Sequence, residues 1–270
     1  MVNRRVTRVI LNTTEITDSL VKPNSTAVAM ALLTTDALYV GFHGKFASRY
    51  IQVNTANTTA SVLTVQYWNG SAFTAVDDLL DQTSSGGKTF AQSGFISWQN
   101  KLDWAISTQT GIDTDVSLYW IKLTVSADLL AGTKIASILN IFSDDVLMSV
   151  YAPELISDTN YLPSGKTNFL DQHVAAKDLI VLRLKQRHVI DDESQIIEPN
   201  QVSIAATYAA AWLILNPIAT SDDTKELASR MHSEFEDEIG RVTIAVDINK
   251  DGQLSAGERL QQESIFIRRR

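Results

Sequence analysis

The hydrophobic repeat of this chain changes once, near Asp144, from a period of two to a period of about 3.6. A period of two belongs to strands with one buried face, and 3.6 belongs to helices, so the chain must fold as a β half followed by an α half. In the first half, Arg5–Leu11, Ala37–Phe42, Ser48–Val53, Ser61–Trp68, Ala72–Val76, Thr89–Trp98, Ser117–Val125 and Lys134–Phe142 read as strands rich in β-branched and aromatic residues. Asn69-Gly70 lies between two of them and is a strong short hairpin signal. Eight or so strands with turn signals between them predict an antiparallel β-sandwich, jelly-roll-like, over residues 1–150.

The second half, residues 151–270, reads as a helical domain. Asn168–Val189 places Leu170, Val174, Val181 and Leu184 on one face. Pro199 stands near the start of a second helix, Gln201–Leu215, whose run A-A-T-Y-A-A-A-W permits close helix contacts before Asn216-Pro217 ends it. A third helix follows, with Thr220 or Ser221 as its cap and Asp222, Asp223 and Glu226 at its positive end. Its apolar stripe is Leu227, Met231, Phe235, Ile239, Val242 and Val246, which carries the helical reading through Leu227–Val246. Ser143–Lys166, with S-D-D, A-P and L-P-S-G-K, is the linker, and the domain boundary is placed near residue 150.

After that helix comes Asp247–Glu258, D-I-N-K-D-G-Q-L-S-A-G-E, with the spacing of a twelve-residue calcium loop. Asp247, Asn249 and Asp251 stand at positions 1, 3 and 5, and Gly252 stands at the sharp turn of position 6. Gln253 offers a backbone carbonyl at 7, Ser255 a hydroxyl or bridging water at 9, and Glu258 a bidentate carboxylate at 12. Calcium takes six to eight hard oxygen ligands, which this set supplies. Sensors usually pair such loops, and this chain has one, so the expected role is a structural staple. A calcium-responsive regulator, a magnesium site and a plain Asp- and Gly-rich turn remain alternatives.

Net charge is −8, which disfavours a general nucleic-acid binder, since that task needs a basic surface against phosphates. Arg268-Arg269-Arg270 is the local exception, read as a frayed terminus or as an assembly arm docking on an acidic neighbour or facing nucleic acid. The chain has no cysteine, which excludes disulfides and thiolate chemistry and fits assembly in a reducing cytoplasm. No run of eighteen uninterrupted apolar residues marks a membrane span, and the N-terminus reads as a strand rather than a signal peptide.

Nothing in the sequence assembles a catalytic set, so no enzyme is expected. His43, His173, His188 and His232 are scattered and read as surface or half-buried polar residues. Gly86-Gly87-Lys88 lacks the spacing of a phosphate loop, and Asp77, Asp78 and Asp81 follow a hairpin strand at a surface turn. Trp68, Trp98, Trp104 and Trp120 leave open a glycan-stacking surface on the β half. Tyr67-Trp68 and Tyr119-Trp120 point to opposite sheet faces, so one residue of each pair should face the core.

The order of elements in the helical half resembles head–tail adaptor, or connector, proteins of tailed bacteriophages. The residues carrying it are Tyr161-Leu162-Pro163, then F-L-D-Q-H-V-A-A-K-D-L-I-V-L-R-L, I-A-A-T-Y-A-A-A-W-L-I-L, E-F-E-D-E-I-G-R, V-T-I-A-V-D and the D-x-N-x-D-G turn. In the β half, Q-Y-W-N-G-S-A-F-T-A-V, G-F-I-S-W-Q-N-K-L-D-W and L-Y-W-I-K-L-T-V-S-A are similar to β-sandwich modules appended to phage structural proteins. These likenesses imply a homo-oligomeric ring of twelve copies between portal and tail, with the β module decorating the neck and DNA threading the channel. The implied partners are the portal and tail or neck proteins, without a membrane, and the implied place is the virion neck. A glycan- or host-surface-binding module on a helical anchor is the competing reading.

Overall fold

The computed structural model describes residues 7–108, 117–241 and 244–258, with antiparallel sheets in the first half and helices in the second. The chain forms two compact units. The first ends at Asn140 and also takes in Asn249–Gln253, and the second starts at Ile141, runs to Ile248 and resumes at Leu254.

The β unit holds β1 (Thr7–Leu11), β2 (Thr14–Glu15), β3 (Val28–Ala29), β4 (Leu38–Phe42), β5 (Ser48–Thr55) and β6 (Leu63–Trp68). It continues with β7 (Phe73–Ala75), β8 (Asp77–Asp81), β9 (Gly94–Gln99), β10 (Ile106–Ser107), β11 (Leu118–Val125) and β12 (Lys134–Leu139), with one helical turn, α1 (Thr17–Leu20), after β2. One sheet runs β2-β1-β4-β11-β6-β7, with β10 also on β11, and the other runs β3-β12-β5-β9-β8. Residues of both enter one core: Leu38, Val40, Leu63, Val65, Ile121 and Leu123, alternating along the first, and Ile51, Ile96, Ile135 and Ile138 from the second, where the β5–β12 pairing shifts register around Ile135. On the opposite face of the first sheet, Ile10, Leu118 and Trp120 form a small second cluster against Tyr39 and Phe73.

Turn chemistry positions these strands. Asn69 accepts from the N–H groups of Ser71 (2.9 Å) and Ala72 (2.8 Å), and Gly70 supplies φ +97° where β6 turns into β7. Gly86 and Gly87 both take positive φ, and Ser85 and Lys88 exchange backbone hydrogen bonds across them, so this stretch is a tight two-residue turn. The strand expected from Thr89 begins at Gly94 instead. Asp81 is the reason: its carboxylate accepts from Thr83 Oγ1 (2.6 Å) and Thr89 Oγ1 (2.7 Å), and Phe90 is left-handed at φ +54°.

The helical unit opens with α2 (Asp145–Tyr151) and α3 (Pro153–Ser157), short helices within the stretch read as linker. Then come α4 (Leu170–Gln186), α5 (Ser203–Leu215) and α6 (Asp222–Arg241). Along α4 the buried residues are Leu170, His173, Ala176, Ile180, Val181 and Leu184, so the core face passes through His173 and Ala176 rather than Val174. Ala205, Ala206, Ala209, Ala210 and Ala211 of α5 are fully buried, and their small side chains allow close packing of α5 with α4 and α6. The stretch Pro199–Ile218 reaches the length and apolarity of a membrane-crossing helix, although polar residues such as Asn200, Gln201 and Ser203 interrupt its apolar run. Its buried alanines give it the character of a core helix.

Ser221 caps α6: its hydroxyl accepts from Thr224 N (3.2 Å), and Thr224 Oγ1 accepts from Ser221 N (3.1 Å). The buried stripe of α6 is Ala228, Met231, Phe235 and Ile239. The helix reads too long in the sequence. It is assigned to Arg241, Val242 lies outside the described residues, and Ile244–Val246 is non-helical although buried.

Gly41 permits the closest packing in the first sheet. A Cβ there would lie 2.7 Å from the Trp120 ring and 2.8 Å from Leu118 Cδ1. Gly41→Ala is therefore expected to cost about 1–3 kcal/mol by overpacking, measured as a lower denaturant midpoint with an unchanged slope.

Candidate functional site

Three arrangements carry the polar and aromatic chemistry of the described residues. The first is an aromatic cluster at one end of the β core. Phe46 stands 5.5 Å from Trp98 and 5.1 Å from Trp104, and Trp104 in turn stands 6.2 Å from Tyr67 and 5.9 Å from Tyr119. The Arg49 guanidinium lies 3.7 Å from the Phe46 ring centre and 4.8 Å from that of Phe42, a stacked cation–π arrangement. The Tyr67 hydroxyl donates to Asp103 Oδ1 at 2.9 Å, which fixes the loop carrying Trp104.

This burial bears on the glycan-stacking alternative. Trp98, Trp104 and Trp120 are 5%, 3% and 0% exposed, so none has a ring face free to stack on a sugar. Trp120 fills the second cluster and donates its indole N–H to Ser107 O at 3.0 Å. Trp68 is half-buried, with its ring 5.3 Å from Phe73. The pairs divide as strand geometry requires, Tyr67 facing the main core and Trp68 the opposite side.

The second arrangement was not legible from spacing. His173, far from the surface, is fully buried and joins two residues from the start of the unit. Its Nδ1 lies 2.8 Å from Ser143 Oγ and its Nε2 3.1 Å from Asp145 Oδ1. Asp145 also accepts from Phe169 N at 3.3 Å, and Asp144 caps α2 by accepting from Leu147 N at 2.9 Å. Burial pushes the Asp144 carboxyl up, opposed by the Leu147 hydrogen bond and the nearby His173. Ser, His and Asp together resemble a nucleophilic trio, but Ser143 is fully buried and presents no oxygen to a substrate. The trio ties α4 to the start of α2. A signal was present in the alternation of His173 with Leu170 and Ala176 along one helix face.

The other histidines do not converge. His43 packs on Phe42, and His232 lies 4.7 Å from Trp212. His188 takes the left-handed position just past α4, at φ +54°.

The third arrangement is the loop Asp247–Glu258. Glu258 Oε1 accepts from Ile248 N (2.8 Å), while its Oε2 accepts from Ser255 N (2.8 Å) and Ser255 Oγ (2.7 Å). Within Asn249–Gln253, Asn249 Oδ1 accepts from Asp251 N (2.9 Å), and Asp251 Oδ1 accepts from Gln253 N (2.8 Å). Lys250 (φ +59°) and Gly252 (φ +85°) make the turns. Asp247 is held from the backbone, exchanging hydrogen bonds with the main chain and side chain of Gln195 at 3.2 and 3.3 Å. Gln201 Oε1 accepts from Ala245 N at 2.9 Å, so two glutamines fix the approach to the loop. The donors are hard oxygens of the kind calcium takes, but the carboxylates of Asp251 and Glu258 accept from loop N–H groups. Among the described residues no group of three or more His, Cys, Asp or Glu side chains is gathered to hold a metal ion. Arg268, Arg269 and Arg270 lie outside the described residues.

No protein-family model matches the chain, and no curated protein matches it in sequence.

Tyr67 yields a pH test. Burial first, then its hydrogen bond to Asp103 and the charges of Asp103 and Asp77, push its phenol up to about 12. The folded value exceeds the unfolded one, so its stabilising contribution is complete below about pH 10 and is lost as pH rises through about 12. Spectrophotometric titration should show a late tyrosine ionisation near pH 12 that is absent in Tyr67→Phe. A single common transition near pH 10 in the folded protein would contradict the burial of this phenol.

Proposed function

We propose that this chain is a structural assembly protein, a head–tail adaptor that forms a ring of twelve copies between the portal of a phage head and its tail. In this reading the β unit is a sandwich, jelly-roll-like, that decorates the neck, and DNA threads the channel. The supporting observation is the helical unit: α4, alanine-rich α5 and amphipathic α6 pack as a bundle, and the non-helical stretch Ile244–Val246 precedes the loop. Val146 and Val150, 72% and 68% exposed on successive turns of α2, leave apolar surface of the kind subunit contacts cover. The burial of Trp98, Trp104 and Trp120 weighs against the glycan-binding alternative.

Native mass spectrometry, alone and with purified portal rings, tests the reading. A closed twelve-copy ring is expected free or on the portal. A chain that stays monomeric and passes the portal unbound in both settings sinks it.

We also propose calcium as a structural ligand of Asp247, Asn249, Asp251, Gln253, Ser255 and Glu258. Glu258 closes the loop on Ile248 and Ser255, and that closure brings position 12 back beside positions 2 and 9. Calcium at about a hundred times its dissociation constant is expected to stabilise the fold by about 2.7 kcal/mol, read as a rise in Tm. Asp247→Ala combined with Glu258→Ala should abolish that rise and impair assembly. Equal Tm for wild type with calcium and with chelator would remove the metal from the account.

A further inference from the structure

Lys45 is a buried lysine whose ammonium points at main-chain carbonyls. Its Nζ donates to Leu102 O at 3.0 Å, to Lys101 O at 3.3 Å and to Asp251 O, and lies 6.0 Å from the centre of the Tyr119 ring. Three main-chain carbonyls thus accept from this ammonium, which suits a compact cation better than the planar fork of a guanidinium. Burying this charge without such partners would be prohibitively costly, so the carbonyl set is a built receptor.

Two of the carbonyls belong to a fixed wall. Trp104 N donates to Lys101 O at 3.3 Å, Asp103 is held by Tyr67, and the Trp104 ring is packed in the aromatic cluster. The third belongs to Asn249–Gln253, a five-residue strap that is the late segment of the chain included in the β unit. Gly252 is required for its approach: φ is +85°, and a Cβ there would run into the methylenes of Lys45. Gln253 Nε2 adds a second tie by donating to Asn100 O at 3.0 Å.

We propose that the carbonyls of Lys101, Leu102 and Asp251, beside the Tyr119 ring, form a primary-ammonium site that Lys45 fills in cis, and that this ion locks the strap onto the β unit. The site selects a cation that carries N–H donors and fits at the end of an alkyl stem. Removing the ammonium by substitution releases the strap while leaving the fixed wall in place. This inference stands apart from the adaptor reading and does not depend on calcium.

Hydrogen–deuterium exchange on the full chain tests it. In Lys45→Met the amides of residues 251–253 are expected to exchange about ten-fold faster or more, as befits loss of a charge-assisted hydrogen bond, while the β core keeps its protection. Gly252→Ala, which keeps the charge but blocks the approach, should loosen the same amides. In Lys45→Gly, added n-butylammonium should restore protection, and tetramethylammonium, which has no N–H, should not. Unchanged exchange in both Lys45→Met and Gly252→Ala overturns the lock. Equal rescue by the two cations, or none by either, overturns the ammonium site.

Discussion

Alternate burial along β4, β6 and β11 is the constraint on which the β unit rests. Leu38 and Val40, Leu63 and Val65, and Ile121 and Leu123 all face one core, and Ile51, Ile96, Ile135 and Ile138 of the other sheet complete it. A shift of one residue in any of these strands would turn its apolar set outward, so the register is firmly specified. The other face of the first sheet carries its own small cluster around Trp120, made possible by the missing side chain at Gly41. The aromatic cluster around Phe46 and Trp104 follows from the same register, since Tyr67 and Tyr119 come from inward positions of β6 and β11.

The helical unit depends on a different economy of size. The alanines of α5 fill little volume, so neighbouring helices can approach closely, and larger residues such as Met231, Phe235 and Ile180 complete the core. Several polar residues buried here hold distant parts of the chain or bond within their own helix. His173 joins Ser143 and Asp145, Thr207 bonds back to Ser203 O at 2.8 Å, and Gln195 holds the backbone of Asp247. Lys177 shows how a half-buried charge is kept: burial opposes its ionisation, but Glu193 and Asp178, at 3.0 and 2.9 Å, outweigh that and hold its pKa above the usual lysine value.

Much of the fold was legible because its signals are local. The Asn69-Gly70 hairpin, the cap at Ser221 and the stripe Met231–Phe235–Ile239 each depend on neighbours within a turn or two. The differences fall where a distant group intervenes or where an apolar period continues by chance. Thr89 reads as the start of a strand until Asp81 captures its hydroxyl, and the helical period over-extends past Arg241 because Val242 and Val246 happen to continue it. The candidate sites were less legible for the same reason. The six loop positions can be read by spacing, but the direction in which Asp251 and Glu258 turn their oxygens cannot.

The sequence alone determined that a strand-rich half precedes a helical half, because periods of two and 3.6 are properties of neighbouring residues on one chain. It also places the oxygen donors of Asp247–Glu258 within twelve residues of one another. Only the tertiary structure decided which tryptophans are buried, that His173 meets Ser143 and Asp145, and that Lys45 meets the carbonyl of Asp251. Those contacts join residues far apart in the chain, and no local period records which distant carbonyl or carboxylate a side chain will find.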